Sequence, residues 1–128
     1  MAKKKVIQSA EAPKPVASYA QAIKAGKLLF CSGQIAIDPA TGELVSGGVE
    51  AETRRTLDNL GAVLREAGAS YEDVVKCTVY LADMGDFRAF DAIFSTYFQK
   101  SPTARATVAV SALPRGARVE IDAIALLS

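Results

Sequence analysis

The chain of 128 residues contains no histidine. That absence excludes Ser-His and Cys-His nucleophile pairs, the commonest general base near neutral pH, and most zinc sites. Any catalysis has to use carboxylate, arginine, tyrosine, hydroxyl or backbone groups. A surplus of charge is missing too: 15 Lys and Arg stand against 14 Asp and Glu, a net +1. No field of that size points to nucleic acid or an anionic membrane as the main partner. Cysteine occurs only at Cys31 and Cys77, each inside an apolar run ("LLFCSG", "VVKCTVYL"). Both read as buried thiols of a reduced compartment rather than a disulfide frame. No apolar run reaches the ~18 residues of a membrane span. The start "AKKK" is followed by the polar, proline-containing "VIQSAEAPKP", not by the apolar region of a signal peptide. These features lead us to expect a cytoplasmic protein. No phosphate-cradling GxxxxGK is present, and "SGGVE" is read as a flexible loop before a helix.

What is present falls into a clear order. Residues 1–16 form a basic, partly flexible lead, and residues 1–128 are expected to make one domain with one core. "SYAQAIKAGKLLFCSGQIAID" predicts two strands around a turn at Ala25-Gly26-Lys27, with "DPATGEL" as a loop. From Val49 onward, Leu57, Leu60, Val63, Leu64 and Ala67 recur at helical spacing, and Gly68 supplies a stop. "EDVVKCTVYLAD" alternates, with Cys77, Val79 and Leu81 on one face. "DFRAFDAIFSTYF" returns to helical spacing through Phe87, Phe90, Phe94, Tyr97 and Phe98, an aromatic stripe read as core rather than as a cofactor box. The resulting order indicates an α+β sandwich, one mixed β-sheet with two helices on one face.

The last stretch, "RATVAVSALPRGARVEIDAI", reads as two alternating runs joined by a turn at Pro114-Arg115-Gly116. In a hairpin, Val108, Val110 and Ala112 would face the helices together with Val119, Ile121 and Ala123. Arg105, Thr107, Glu120 and Asp122 would then share the opposite face. That face would also carry Ala109, Ser111, Ile124 and Leu126 on these strands, and Leu28 and Phe30 or their neighbours on another, too apolar to stay in water on a lone domain. We therefore expect it to meet other subunits. A pocket at such an interface could use one arginine for a carboxylate and one glutamate for proton handling, with neither metal nor histidine.

The segments "APKPVASYAQAIKAG", "LLFCSGQIAIDPATGELV", "TLDNLGAVLREAGAS" and "ARATVAVSALPRGARVEIDAIAL" closely resemble the RidA-type reactive-intermediate deaminases, the YjgF-like family, across nearly the whole chain. The resemblance implies a chorismate-mutase-like fold and a homotrimer with three clefts between subunits. It also implies hydrolysis of enamine and imine acids released by pyridoxal-phosphate dehydratases, giving 2-keto acids and ammonia. No cofactor is implied, and no metal. On this resemblance Arg105 is the carboxylate clamp and Glu120 the residue that activates water. Tyr19, Ser32, Gly33 and Thr107 line the substrate site.

Three departures accompany the match: "ASY" for the familiar "GPY", "PTAR" for "PPAR", and Asp91 at a helix position commonly Asn. An acid there would repel an anionic substrate if it faced the cleft. Two other functions stay open at the level of sequence. One is a non-catalytic trimer that binds a carboxylate metabolite. The other is RNA cleavage with inhibition of translation, against which stand the neutral charge and the lack of a basic patch interleaved with aromatics.

Overall fold

The structure is a computed structural model that describes residues 3–128. Six strands and two principal helices follow one another as β1 (Lys5–Ile7), β2 (Ala22–Ala25), β3 (Leu28–Gln34), α1 (Gly48–Glu66), β4 (Val74–Leu81), α2 (Phe87–Tyr97), β5 (Ala104–Ala109) and β6 (Val119–Leu126). All strands join one mixed sheet in the order β1-β2-β3-β6-β4-β5. Every neighbouring pair is antiparallel except β4 and β5, which are parallel and joined through α2. A parallel pair needs such a crossover, whereas the antiparallel β2–β3 pair is closed by a turn with Gly26 at φ 62°.

Both helices lie on one face. α1 is covered on its inner side by Leu57, Leu60, Val63 and Leu64, all fully buried, and it ends where Gly68 adopts φ 79°. Beneath it the alternation of β4 buries Cys77, Val79 and Leu81, and that of β6 buries Val119, Ile121 and Ala123, as the period-two pattern requires. The aromatic stripe is core at Phe90, Phe94 and Phe98, while Phe87 and Tyr97 pack at its margin. Both cysteines are buried and unpaired, and burial pushes each thiol up to about 12, with Asp122 adding to the effect. Such thiols are packing groups and not nucleophiles.

Two features differ from the sequence reading. The lead is more structured than its composition suggests. Lys5–Ile7 pair with Ala22–Lys24, Ile7 and Ala12 are buried, and the buried Gln21 amide grips Ser9 and Pro13. Met1 and Ala2 lie outside the described residues.

The second difference is larger. β5 and β6 do not form a hairpin, because β4 lies between them. The parallel register sets Arg105 beside Cys77, Thr107 beside Val79 and Ala109 beside Leu81. Side chains at paired positions point to the same side of a sheet, so Arg105 and Thr107 face the helices and not the open side. Val108, expected in the core, points the other way and is 43% exposed, while Ala112 lies exposed beyond the strand. Ser111 also falls beyond β5, and Ala109 belongs to the helix side.

Candidate functional site

Glu120 sits in β6 opposite Tyr80 of β4, on the open face. The adjoining strand β3 is irregular there. Cys31 pairs with Ala123 but Gln34 with Ile121, so three residue steps on β3 oppose two on β6. This bulge keeps both Cys31 and Gln34 turned to the core and brings the Ser32-Gly33 backbone up against Glu120. A side chain at residue 33 would overlap the Glu120 carboxylate, so glycine leaves that carboxylate where it is and any larger residue would push it aside. Ser32 is held in turn: its backbone N–H donates to Gln21 O at 2.9 Å and its hydroxyl donates to Ala20 O at 2.6 Å.

These contacts fix the lead as the wall of an open cleft of about 870 Å³. Tyr19, Ser32, Gly33 and Glu120 line it, with Lys14 and Arg115 at its rim. Arg115 has φ 61°, the sole described non-glycine residue with positive φ, and its guanidinium donates to Gly42 O at 3.2 Å. That bond joins the β5–β6 connection to the "DPATGEL" loop on the other bank. Burial, and then the neighbouring Asp122 carboxylate, raise the Glu120 carboxyl above its ordinary pKa. Asp122 itself accepts from the Tyr80 hydroxyl at 3.0 Å. Glu120 accepts no hydrogen bond from another side chain among the described residues. It is a half-buried carboxylate poised to hold or take a proton.

Arg105 belongs to a different place. Its side chain is 21% exposed and lies across α2, with the guanidinium carbon 4.7 Å from the Phe94 ring centroid, 5.5 Å from Phe90 and 5.6 Å from Phe87. Its Nη1 donates to Asp91 Oδ1 at 2.7 Å. Three aromatic faces and one carboxylate therefore hold the planar fork in place, a preorganised setting for a second carboxylate. Thr107 is beside it on the same strand, its hydroxyl oxygen buried with no hydrogen-bond partner.

The six residues singled out in the sequence thus fall into two groups. Tyr19, Ser32, Gly33 and Glu120 meet in the cleft on the open face. Arg105 and Thr107 lie on the helix-facing side of the edge strand, two strand spacings away from β6, or roughly 9–10 Å. One copy of the chain does not bring the two groups around one small ligand. Asp91, Lys14 and Arg115 were not among the expected site residues. Asp91 was visible only as a departure from the usual helix residue, and the two rim cations gave no signal in sequence. No group of His, Cys, Asp and Glu residues suited to a metal ion occurs among the described residues. No helix among them is long and apolar enough to cross a membrane.

Comparison with known proteins places this geometry. Residues 9–127 match the family model described as endoribonuclease L-PSP. The chain is 51% identical over 125 residues to protein DfrA of Myxococcus xanthus, covering 96% of this chain and 95% of that protein. It is 49% identical over 123 residues to the mouse 2-iminobutanoate/2-iminopropanoate deaminase, covering 96% and 91%. Among solved structures, E. coli TdcF with bound serine superposes with a TM-score of 0.93 at 34% identity, over 97% of this chain and 99% of that one. A match over nearly the whole length, in both sequence and fold, means that the chain belongs to the endoribonuclease L-PSP family, the YjgF/RidA-type proteins.

Proposed function

We propose that the protein is a 2-iminobutanoate/2-iminopropanoate deaminase that hydrolyses 2-imino acids, and their enamine tautomers, to 2-keto acids and ammonia. The observation that carries this reading is the Glu120 carboxylate, held against the Gly33 backbone in an open cleft with its pKa raised. A protonated imine carbon needs only water as nucleophile, and a base near 3 Å to take the proton. Glu120 accepts that proton as the C–O bond forms at C2. It then returns the proton to the nitrogen of the tetrahedral intermediate, and the C–N bond breaks as the C2 hydroxyl gives its own proton to Glu120, which passes it to the departing ammonia to leave as ammonium. The keto oxygen is the oxygen of the attacking water. Neither redox chemistry nor a metal enters this balance.

Arg105 supplies the substrate-carboxylate contact, and on this reading it comes from a neighbouring copy. The relatives named as 2-iminobutanoate/2-iminopropanoate deaminases, and the serine bound by TdcF, support a small amino- or imino-acid ligand. Exposed Leu28, Phe30 and Leu126 on the open face support the association, since isolated domains rarely leave such a patch in water. We infer a homotrimer with clefts between subunits. The two buried, unreactive thiols suit the cytoplasm.

The decisive assay couples the protein to threonine dehydratase and follows 2-ketobutyrate and ammonia. Faster release of both is expected, and an unchanged rate overturns the reading. Light scattering should give a trimer at micromolar concentration. Mixing Arg105→Ala subunits with Glu120→Gln subunits should restore part of the activity that each has lost. No recovery on mixing would mean that the two residues do not come from different copies.

A further inference from the structure

The Arg105 guanidinium has a partner already. Asp91 Oδ1 takes one N–H from Nη1 at 2.7 Å, and the Asp91 side chain is 44% exposed. The cation and the carboxylate offset each other. A ligand that is only an anion therefore meets attraction from Arg105 and repulsion from Asp91 at nearly the same place. The free edge of the guanidinium, Nε with Nη2, still offers two parallel N–H groups to a carboxylate. Asp91 Oδ2 makes no hydrogen bond among the described residues, so the half-exposed aspartate keeps a free acceptor on the carboxylate that already touches the guanidinium. Donor pair and acceptor thus belong to one ion pair, whose guanidinium is held by the rings of Phe87, Phe90 and Phe94.

We propose that Asp91 is a specificity-determining residue that makes the Arg105 clamp select ligands with a cationic nitrogen beside the carboxylate, and reject the corresponding 2-keto acids. This rests on the reading of Arg105 as the carboxylate clamp. A zwitterion places its carboxylate on the guanidinium edge and its ammonium or iminium N–H on Asp91, matching the polarity of the pair. A 2-keto acid has the same carboxylate but puts a carbonyl oxygen against the aspartate, an acceptor facing an acceptor. For a hydrolase the consequence is directional. The protonated imine is held, and the keto acid formed from it loses its attraction to Asp91 as ammonia departs.

The probes are L-2-aminobutyrate, a zwitterion that cannot be hydrolysed, and 2-ketobutyrate, measured by calorimetry on the whole protein. The wild type should bind the amino acid more tightly. Asp91→Asn keeps the hydrogen bond to Arg105 while removing the charge, and it should shift the affinity ratio toward the keto acid by on the order of tenfold. A purely structural role for Asp91 would weaken both ligands together and leave the ratio alone. An unchanged ratio, equal affinities in the wild type, or no binding of either probe overturns the proposal. A wild type that prefers the amino acid yet releases no ammonia from a dehydratase-generated imine removes the deaminase reading and leaves the selectivity standing. Deaminase activity with equal affinities does the reverse.

Discussion

On the helix-covered face of the sheet, Leu29, Val79, Leu81, Val119 and Ile121 are completely shielded from water, whereas on the open face Leu28, Phe30 and Leu126 keep 39, 42 and 50% of their surface. On β3 the two kinds alternate one residue apart, Leu29 between Leu28 and Phe30, and β6 carries Leu126 beyond its buried Val119 and Ile121. The covered face also holds Arg105, a charged group made tolerable by aromatic rings and a carboxylate. The open face holds Glu120, whose carboxyl is raised by burial and by Asp122. The first face therefore spends its apolar surface on the stability of one chain. The second leaves its apolar surface uncovered within one chain, and on the proposed reading this is the surface for association, with the Glu120 carboxylate where a neighbouring chain can reach it.

Substitutions on the two faces should accordingly fail in different ways. Phe90→Ala opens a void at a fully buried position between helix α2 and the sheet, and unfolding in urea should show a loss of about 3–5 kcal/mol. Glu120→Gln, on the other face, should leave the fold intact and lower kcat by about a hundredfold, or ~2.7 kcal/mol of transition-state stabilisation. Steady-state kinetics in the dehydratase-coupled assay reads this, and full turnover would mean that the water is activated elsewhere. Arg105→Lys keeps the charge but loses the planar fork that lies across the Phe94 ring. Activity should fall about tenfold, ~1.4 kcal/mol, with assembly unchanged by light scattering.

The smallest effect is one of pH. Because the folded protein raises the Glu120 pKa, the native state binds this proton more readily than the unfolded chain. Its contribution to stability is fullest below the ordinary glutamate pKa and is lost as pH rises through the raised folded value. Glu120→Gln should then melt slightly higher than wild type at neutral pH, and the difference should vanish below about pH 4, under the unfolded pKa. Scanning calorimetry across that range checks the sign.

Both helices and the strands β3, β4 and β6 could be read from periodicity, because each buries one face and the apolar spacing records it. The strand β1 could not: three residues among lysines and prolines give no period, and what holds the lead is the buried Gln21 amide, a contact across 12 residues. The hairpin expected for the last two strands fails for an instructive reason. Pro114-Arg115-Gly116 is sound turn chemistry, but it joins strands that a third strand separates. On β5 the apolar Val108 faces outward and the charged Arg105 inward, the reverse of the usual sense: the phenylalanines of α2 cover Arg105, and on the proposed trimer a neighbouring copy covers Val108. Spacing within a strand cannot reveal which face a partner will cover. Residue types did mark Arg105 and Glu120 as unusual, but only the register shows that they occupy opposite faces.

The strand order also bears on how the protein is made. β6 is the last of the described elements, yet it is the central joint between the β1-β2-β3 and β4-β5 pieces. While a ribosome is still short of residue 119, those two pieces have no common edge. The nascent chain then exposes the unpaired edges of β3 and β4, the kind of surface that chaperones bind and that sticks to other chains. A message cut short before codon 119 loses the joint and not merely a fringe, so its product goes to proteolysis rather than to a weakened enzyme.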